Sequence, residues 1–152
     1  MSANHWQTEN SKMITCIIFD LDDTLYDEID YCKSGFEAVA VYLSSQYQKD
    51  SKHIFDLLWQ EFTSGDRRRV FNTSLEKAGI EYNEELIKQL VVIYREHAPQ
   101  ISLSDETREI LDYFKDKYTL ALLTDGFMPA QQLKVQALGI EEYFDCIVYT
   151  EL

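Results

Sequence analysis

Positive charge is scarce in this chain. Its 152 residues hold 14 Lys plus Arg against 27 Asp plus Glu, a net charge of −13. Such a surface repels a polyanion, so nucleic acid is not expected as a partner. It also repels a phosphate unless a cation or local donors offset the field. Long apolar runs are missing too. No stretch approaches the ~20 residues that span a bilayer, so no membrane partner is expected. Residues 1–12 are polar and lack the apolar centre of a secretion signal; they read as a flexible leader that includes His5 and Trp6. Cysteine occurs only at Cys16, Cys32 and Cys146, far apart and with no metal-binding spacing. An odd count in apolar surroundings fits reduced, buried thiols and a cytoplasmic location. There is no internal repeat and no low-complexity segment.

What the chain does have is core material: 45% of it is hydrophobic and 13% aromatic, enough for one ordinary domain with an insertion. Ile14 to Phe19 is too short for a helix and rich in β-branched residues. It lacks polar alternation, which reads as a strand buried on both faces. It ends abruptly in Asp20, Asp22 and Asp23, with Thr24 behind them. Ligands bind at the carboxyl ends of strands in open α/β sheets. Two carboxylates and a hydroxyl make a hard-oxygen cluster suited to Mg²⁺. A carboxylate beside a cation can also attack an electrophile.

From Glu28 to Ala98 no strand signal appears. Four helical patterns follow one another, around Phe36, Val39 and Leu43, then Ile54 and Leu58, then Val70 and Leu75, then Leu86, Leu90 and Tyr94. Asn83 is a suitable N-cap for the fourth, and Pro99 closes it. Four consecutive amphipathic helices pack as a small bundle. Ser104 caps a fifth helix. Tyr118 to Thr124 is a second buried strand that also ends in polar residues, Thr124-Asp125-Gly126. Pro129 opens a sixth helix with Ala130, Leu133, Ala137 and Leu138 inward, and Cys146 to Thr150 is a third strand. The predicted organisation is an α/β, Rossmann-like parallel sheet core of residues 13–27 and 100–152, interrupted by a helical cap at 28–99.

Asp20-Leu21-Asp22-Asp23-Thr24 resembles the first motif of the haloacid-dehalogenase-like superfamily, in its phosphatase branch. Thr124-Asp125-Gly126 resembles its second motif. Gln132 to Asp145 is similar to the helix and turn that follow, and a helical insertion after the first motif is similar to a four-helix cap. The resemblance implies a Mg²⁺-dependent phosphohydrolase of small phosphorylated metabolites. Asp20 is then the nucleophile that forms an aspartyl-phosphate. Asp22 is the acid that protonates the leaving oxygen and the base that activates water. Asp20 and the Asp22 main-chain carbonyl hold the metal. Thr124, with the N–H groups of Asp125 and Gly126, binds the phosphoryl group. The dehalogenase branch lacks an acid at the position of Asp22, so phosphoryl transfer is the expected chemistry.

The family's third motif, a lysine, and its fourth, an acidic pair, lie beyond the third strand, and this chain stops at Glu151-Leu152. The expectation is therefore a truncated chain with an incomplete metal site. The alternative to an active enzyme is a catalytically deficient homologue or half-site fragment acting through another chain. Lys134 matches the helix lysine after the second motif and is given little weight as a substitute. Without the later strands, the first strand becomes an apolar edge open to self-association. Arg67-Arg68-Arg69, the only basic run, reads as a solvated helix start, with binding of a substrate anion as the alternative. Tyr26 and Asp27 are placed at the cap–core opening.

Overall fold

The computed structural model describes residues 13–151; the expected leader, with His5 and Trp6, lies outside them. Three parallel strands form one sheet: β1 (Cys16–Phe19), β2 (Thr119–Asp125) and β3 (Cys146–Thr150), in the order β1-β2-β3. The register pairs Cys16 with Thr119 and Phe19 with Leu122, then Ala121 with Cys146 and Asp125 with Thr150. The α/β architecture and parallel sheet are those expected, with β1 at an edge among the described residues.

Helices α1 (Glu28–Tyr47), α2 (Ser51–Ser64), α3 (Val70–Ala78) and α4 (Glu84–Glu96) lie between β1 and β2, with a 3₁₀ turn at Arg67–Arg69. Helix α5 (Asp105–Lys115) leads into β2, and α6 (Ala130–Leu138) joins β2 to β3. Helix starts are fixed locally. The side chains of Asp50, Asn83 and Ser104 accept the N–H groups of His53, Leu86 and Thr107. Gly139 ends α6 in the left-handed conformation at φ 63°, donating to carbonyls of the last turn.

Both crossovers step in the same direction along the sheet, so right-handed connections put α5 and α6 on the same face. Burial agrees: Leu120, Leu122 and Thr124 are buried, while their neighbours on β2 face outward. The opposite face is uncovered among the described residues. Ile18 is 64% exposed, and Leu123 and Val148 are nearly half exposed. This corrects the expectation that β1 and β2 are buried on both faces. An unbroken apolar run shows that a strand is apolar on both sides, not that both sides are covered. The cysteines follow: Cys16 and Cys146 are exposed, and only Cys32 is partly buried.

The inserted helices enclose a hydrophobic cluster that includes Phe36, Val39, Leu43, Ile54, Leu58, Leu75 and Leu90. A second cluster joins Leu21, Leu25, Leu111, Leu120, Leu122 and Ile140 around the sheet. Tyr94 on α4 packs against both. It reaches across α1 because Gly35 has no side chain there; a Cβ would sit 2.7 Å from the Tyr94 ring. Next to it His97 ends α4, buried, with Nδ1 2.7 Å from the Tyr94 carbonyl and Nε2 2.6 Å from the Ser34 hydroxyl. Facing a carbonyl, Nδ1 is the donor of that pair; the Ser34 hydroxyl also lies 3.2 Å from the Tyr31 carbonyl. Burial pushes the His97 pKa down. No helix of the described residues is long and apolar enough to cross a membrane.

Candidate active site

The strand end at β1 folds back on itself within five residues. Leu21 and Leu25 are buried and tie the turn to the sheet, with the Leu25 N–H donating to the Leu21 carbonyl at 3.0 Å. Asp23 takes up the left-handed conformation between them, φ 52°, which a short polar side chain tolerates. Its Oδ1 accepts the N–H of Glu28 at 2.9 Å and so anchors the start of α1.

This turn gives the two aspartates different surroundings. Asp20 is exposed, and its Oδ2 has one side-chain contact, the Thr24 hydroxyl at 3.5 Å. Asp22 turns to α6. Its Oδ1 accepts the Tyr26 hydroxyl at 2.6 Å and Lys134 Nζ at 2.8 Å; its Oδ2 accepts Gln131 Nε2 at 2.8 Å and Lys134 Nζ at 2.9 Å. Lys134 is only 4% exposed. It lies 3.5 Å from Glu28 and 4.3 Å from the centre of the Tyr31 ring. Burial, reinforced by the bond to Asp22, pushes the Tyr26 phenol far above its ordinary pKa, and burial does the same for Tyr31. Both phenols therefore remain donors at any ordinary pH.

Gln131 and Lys134 stand three residues apart on the buried side of α6. The inward face is Ala130, Gln131, Lys134, Val135 and Leu138, whereas Ala137 is exposed and Leu133 only partly buried. The expected inner face, with Leu133 and Ala137, is thus rotated. The physical reason is Asp22, which pairs the two polar side chains that would otherwise face water. Lys134, given little weight as a substitute for the family's lysine, pairs with Asp22 and Glu28 and makes no contact with Asp20. Tyr26 is largely buried with its hydroxyl on Asp22, and with Asp27 it lines a cavity between the start of α1 and residues 102–107.

The second strand end comes alongside. Gln131 Nε2 reaches the Thr124 hydroxyl at 3.1 Å and the Asp125 carbonyl at 2.7 Å. Its own Oε1 is buried without a partner among the described residues. Thr124 is buried, so its hydroxyl is covered by Gln131 rather than open to a ligand. Asp125 Oδ1 accepts the Thr150 hydroxyl at 2.9 Å. Gly126 is needed for its φ of 149° and for close approach, since a Cβ would meet Gln131 at 2.8 Å. Its N–H was expected to face a phosphoryl group; it donates instead to the Thr150 carbonyl at 3.0 Å.

A cavity of about 420 Å³ opens between sheet and inserted helices. Asp22, Gly126, Gln131 and Lys134 form its core wall, and Phe36, Phe62, Phe71 and Tyr94 its apolar wall. Arg67, Arg68 and Arg95 stand in the remaining lining. Asp20 and Thr124 are outside that lining. Among the described residues no group of three or more His, Cys, Asp or Glu is placed to hold a metal ion.

The haloacid dehalogenase-like hydrolase family model matches residues 17–152. N-acylneuraminate-9-phosphatase of Homo sapiens is 25% identical over 150 residues, covering 89% of this chain and 60% of that protein. Pyrimidine 5'-nucleotidase YjjG of Escherichia coli is 23% identical over 146 residues, with 89% and 62% covered. The chain thus spans about 60% of the length of these curated relatives. Among solved structures, YfnB of Bacillus subtilis bound to magnesium shares the fold, with TM-score 0.53, 21% identity, and 91% of this chain and 64% of that one covered.

Proposed function

Because the chain belongs to the haloacid dehalogenase-like hydrolase family, we propose that it is a Mg²⁺-dependent phosphohydrolase of small phosphomonoesters that works through an aspartyl-phosphate on Asp20. The observation that carries this is the separation of the two strand-end carboxylates. Asp20 is exposed and lightly held, as an attacking group must be, whereas Asp22 is oriented by three donors beside the cavity. The two curated relatives are named as a phosphatase and a nucleotidase, both hydrolases of phosphate esters.

In this reading an Asp20 carboxylate oxygen attacks phosphorus and the bond to the leaving oxygen breaks. Asp22 gives that oxygen a proton. It then takes a proton from a water that attacks phosphorus, which frees phosphate and restores Asp20. Every contact that Asp22 now makes is from a donor, so a proton on its carboxylate displaces Tyr26, Gln131 or Lys134. Lys134 then stands as the cation nearest the acid. The donor set fits a wet Mg²⁺ site, with Asp20 supplying a carboxylate and Asp22 a main-chain carbonyl, since its side chain is committed to α6. Bound there, the ion supplies positive charge beside nucleophile and phosphoryl group.

The sheet face and β1 edge, uncovered among the described residues, favour a second reading, a half-site that acts through another chain. Turnover of p-nitrophenyl phosphate with Mg²⁺ separates the two. Asp20→Asn should abolish activity that the wild type shows. Equal inactivity of both would remove the catalytic reading of this chain.

A further inference from the structure

The one basic run splits in the structure. Arg69 pairs with Glu76 at 3.4 Å and takes no part in the cavity. Arg67 and Arg68 line the cavity. Arg67 is oriented by the end of α2: its Nε donates to the Phe62 carbonyl at 3.0 Å, and its guanidinium carbon lies 4.4 Å from the Phe62 ring centre. Arg95, from α4, lines the same cavity with its guanidinium 3.5 Å from the Phe127 ring centre. Three of the five arginines in the sequence thus surround one space. Among the described residues none of the three has a carboxylate within 4 Å. In a chain with 27 acids, that leaves an unusual concentration of unmatched guanidinium donors.

The core side of the lining already has its own cation, Lys134, on Asp22. The 3₁₀ turn carrying Arg67 and Arg68 packs on α2 and α3. Phe36, Phe62, Phe71 and Tyr94 supply the apolar part of the same lining. A guanidinium laid on an aromatic face keeps its in-plane N–H groups free for a forked bond to an anion. We propose that the cavity takes a phosphomonoester carrying a second anionic group, and that Arg67 and Arg68 receive this second group while the scissile phosphoryl lies at the strand ends. A carboxylate and a second phosphate share the required chemistry. The inference rests on the phosphohydrolase reading.

The test is calorimetric binding, with Mg²⁺, of two probe pairs: 6-phosphogluconate against glucose 6-phosphate, and fructose 1,6-bisphosphate against fructose 6-phosphate. Charged hydrogen bonds predict that at least one doubly anionic probe binds about tenfold or more tighter than its partner. The pair that shows the preference identifies the second group as carboxylate or phosphate. In Arg67→Gln/Arg68→Gln the ratio should fall to about one, and in Arg67→Lys/Arg68→Lys part of it should return. A wild-type ratio near one in both pairs would overturn the proposal. So would a ratio unchanged in the Gln variant, which is also the result if the arginines hold the scissile phosphoryl. If no probe binds and wild type matches Asp20→Asn on p-nitrophenyl phosphate, the phosphohydrolase reading itself has failed and this one with it. Loss of the ratio alone leaves that reading intact.

Discussion

Replacing Lys134 by Met removes the charge from a side chain only 4% exposed while nearly keeping its length. Three interactions go with it. Glu28 is nearly half exposed and 3.5 Å away, so that pair contributes at most about 1 kcal/mol. The contact with the Tyr31 ring, 4.3 Å from its centre, is worth about 0.5–2 kcal/mol. The dominant loss is at Asp22, where a carboxylate only 20% exposed loses its cation. Stranding a buried charge costs about 3–5 kcal/mol; the remaining donors, Tyr26 and Gln131, and the end of lysine desolvation bring the net cost of the substitution to about 2–3 kcal/mol. For a chain of this size that lowers Tm by about 4–12 °C. Asp22→Asn strands the ammonium instead and should cost a similar amount. The double variant strands nothing, so it should be more stable than the sum of the two single losses implies, by about 1–3 kcal/mol. Urea unfolding followed by circular dichroism measures all four corners of this cycle. Additivity to within about 0.5 kcal/mol would refute the pairing and, with it, the idea that α6 orients the acid.

Two further outcomes follow from groups elsewhere. Burial opposes protonation of His97, outweighing the Tyr94 carbonyl bond that favours it, and the positive charge of Lys134 adds a smaller opposition. The folded pKa of His97 is lower than the unfolded 6.5, so the unfolded chain binds the extra proton; the contribution is complete above about pH 6.5 and is lost as pH falls. Wild type should therefore lose more stability than His97→Gln between pH 7.5 and 5.5, and parallel urea midpoints would refute this. We also propose self-association through β1, whose outer edge is unpaired among the described residues and whose Ile18 is 64% exposed. Ile18→Lys should keep the protein monomeric at concentrations where wild type sediments as a larger species. A monomeric wild type across the same range would sink this.

The elements were legible because each had its own periodicity. Four helical patterns without a strand between them, capped at Asn83 and stopped by glycine or proline, gave the helices in their observed order. Two strands ending in polar residues gave the parallel sheet. The covering of that sheet was not legible. Ile18, Leu123 and Val148 are as apolar as Leu120 and Leu122, and only the side on which α5 and α6 cross separates exposed from buried. Solvent exposure of a strand depends on what the remaining chain lays over it, and that is not encoded within the strand. The same misreading placed Cys16 and Cys146 inside.

Near the candidate site, the aspartates, Thr124 and Gly126 stood out in the sequence because they end strands, a position with local meaning. Gln131 and Lys134 did not, because their meaning is entirely non-local. Lys134 is 112 residues from Asp22, and in a helix pattern a lysine marks the outer face. Taking α6 by hydrophobicity alone turns Leu133 and Ala137 inward. One signal was present: Ala130 and Val135 flank Lys134, Leu138 and Gln131 on a single stripe, so the helix has two competing inner faces. Choosing between them requires knowing that a carboxylate waits on the sheet side. Asp22 is that carboxylate, and a strand-end acid directed at the following crossover is what selects the polar face. A buried lysine is costly without a partner, so a polar face can win over an apolar one only where a matching charge already stands. That condition ties the two halves of the site together: the rotation of α6 that buries Lys134 is also the one that puts Gln131 against Thr124 and the Asp125 carbonyl.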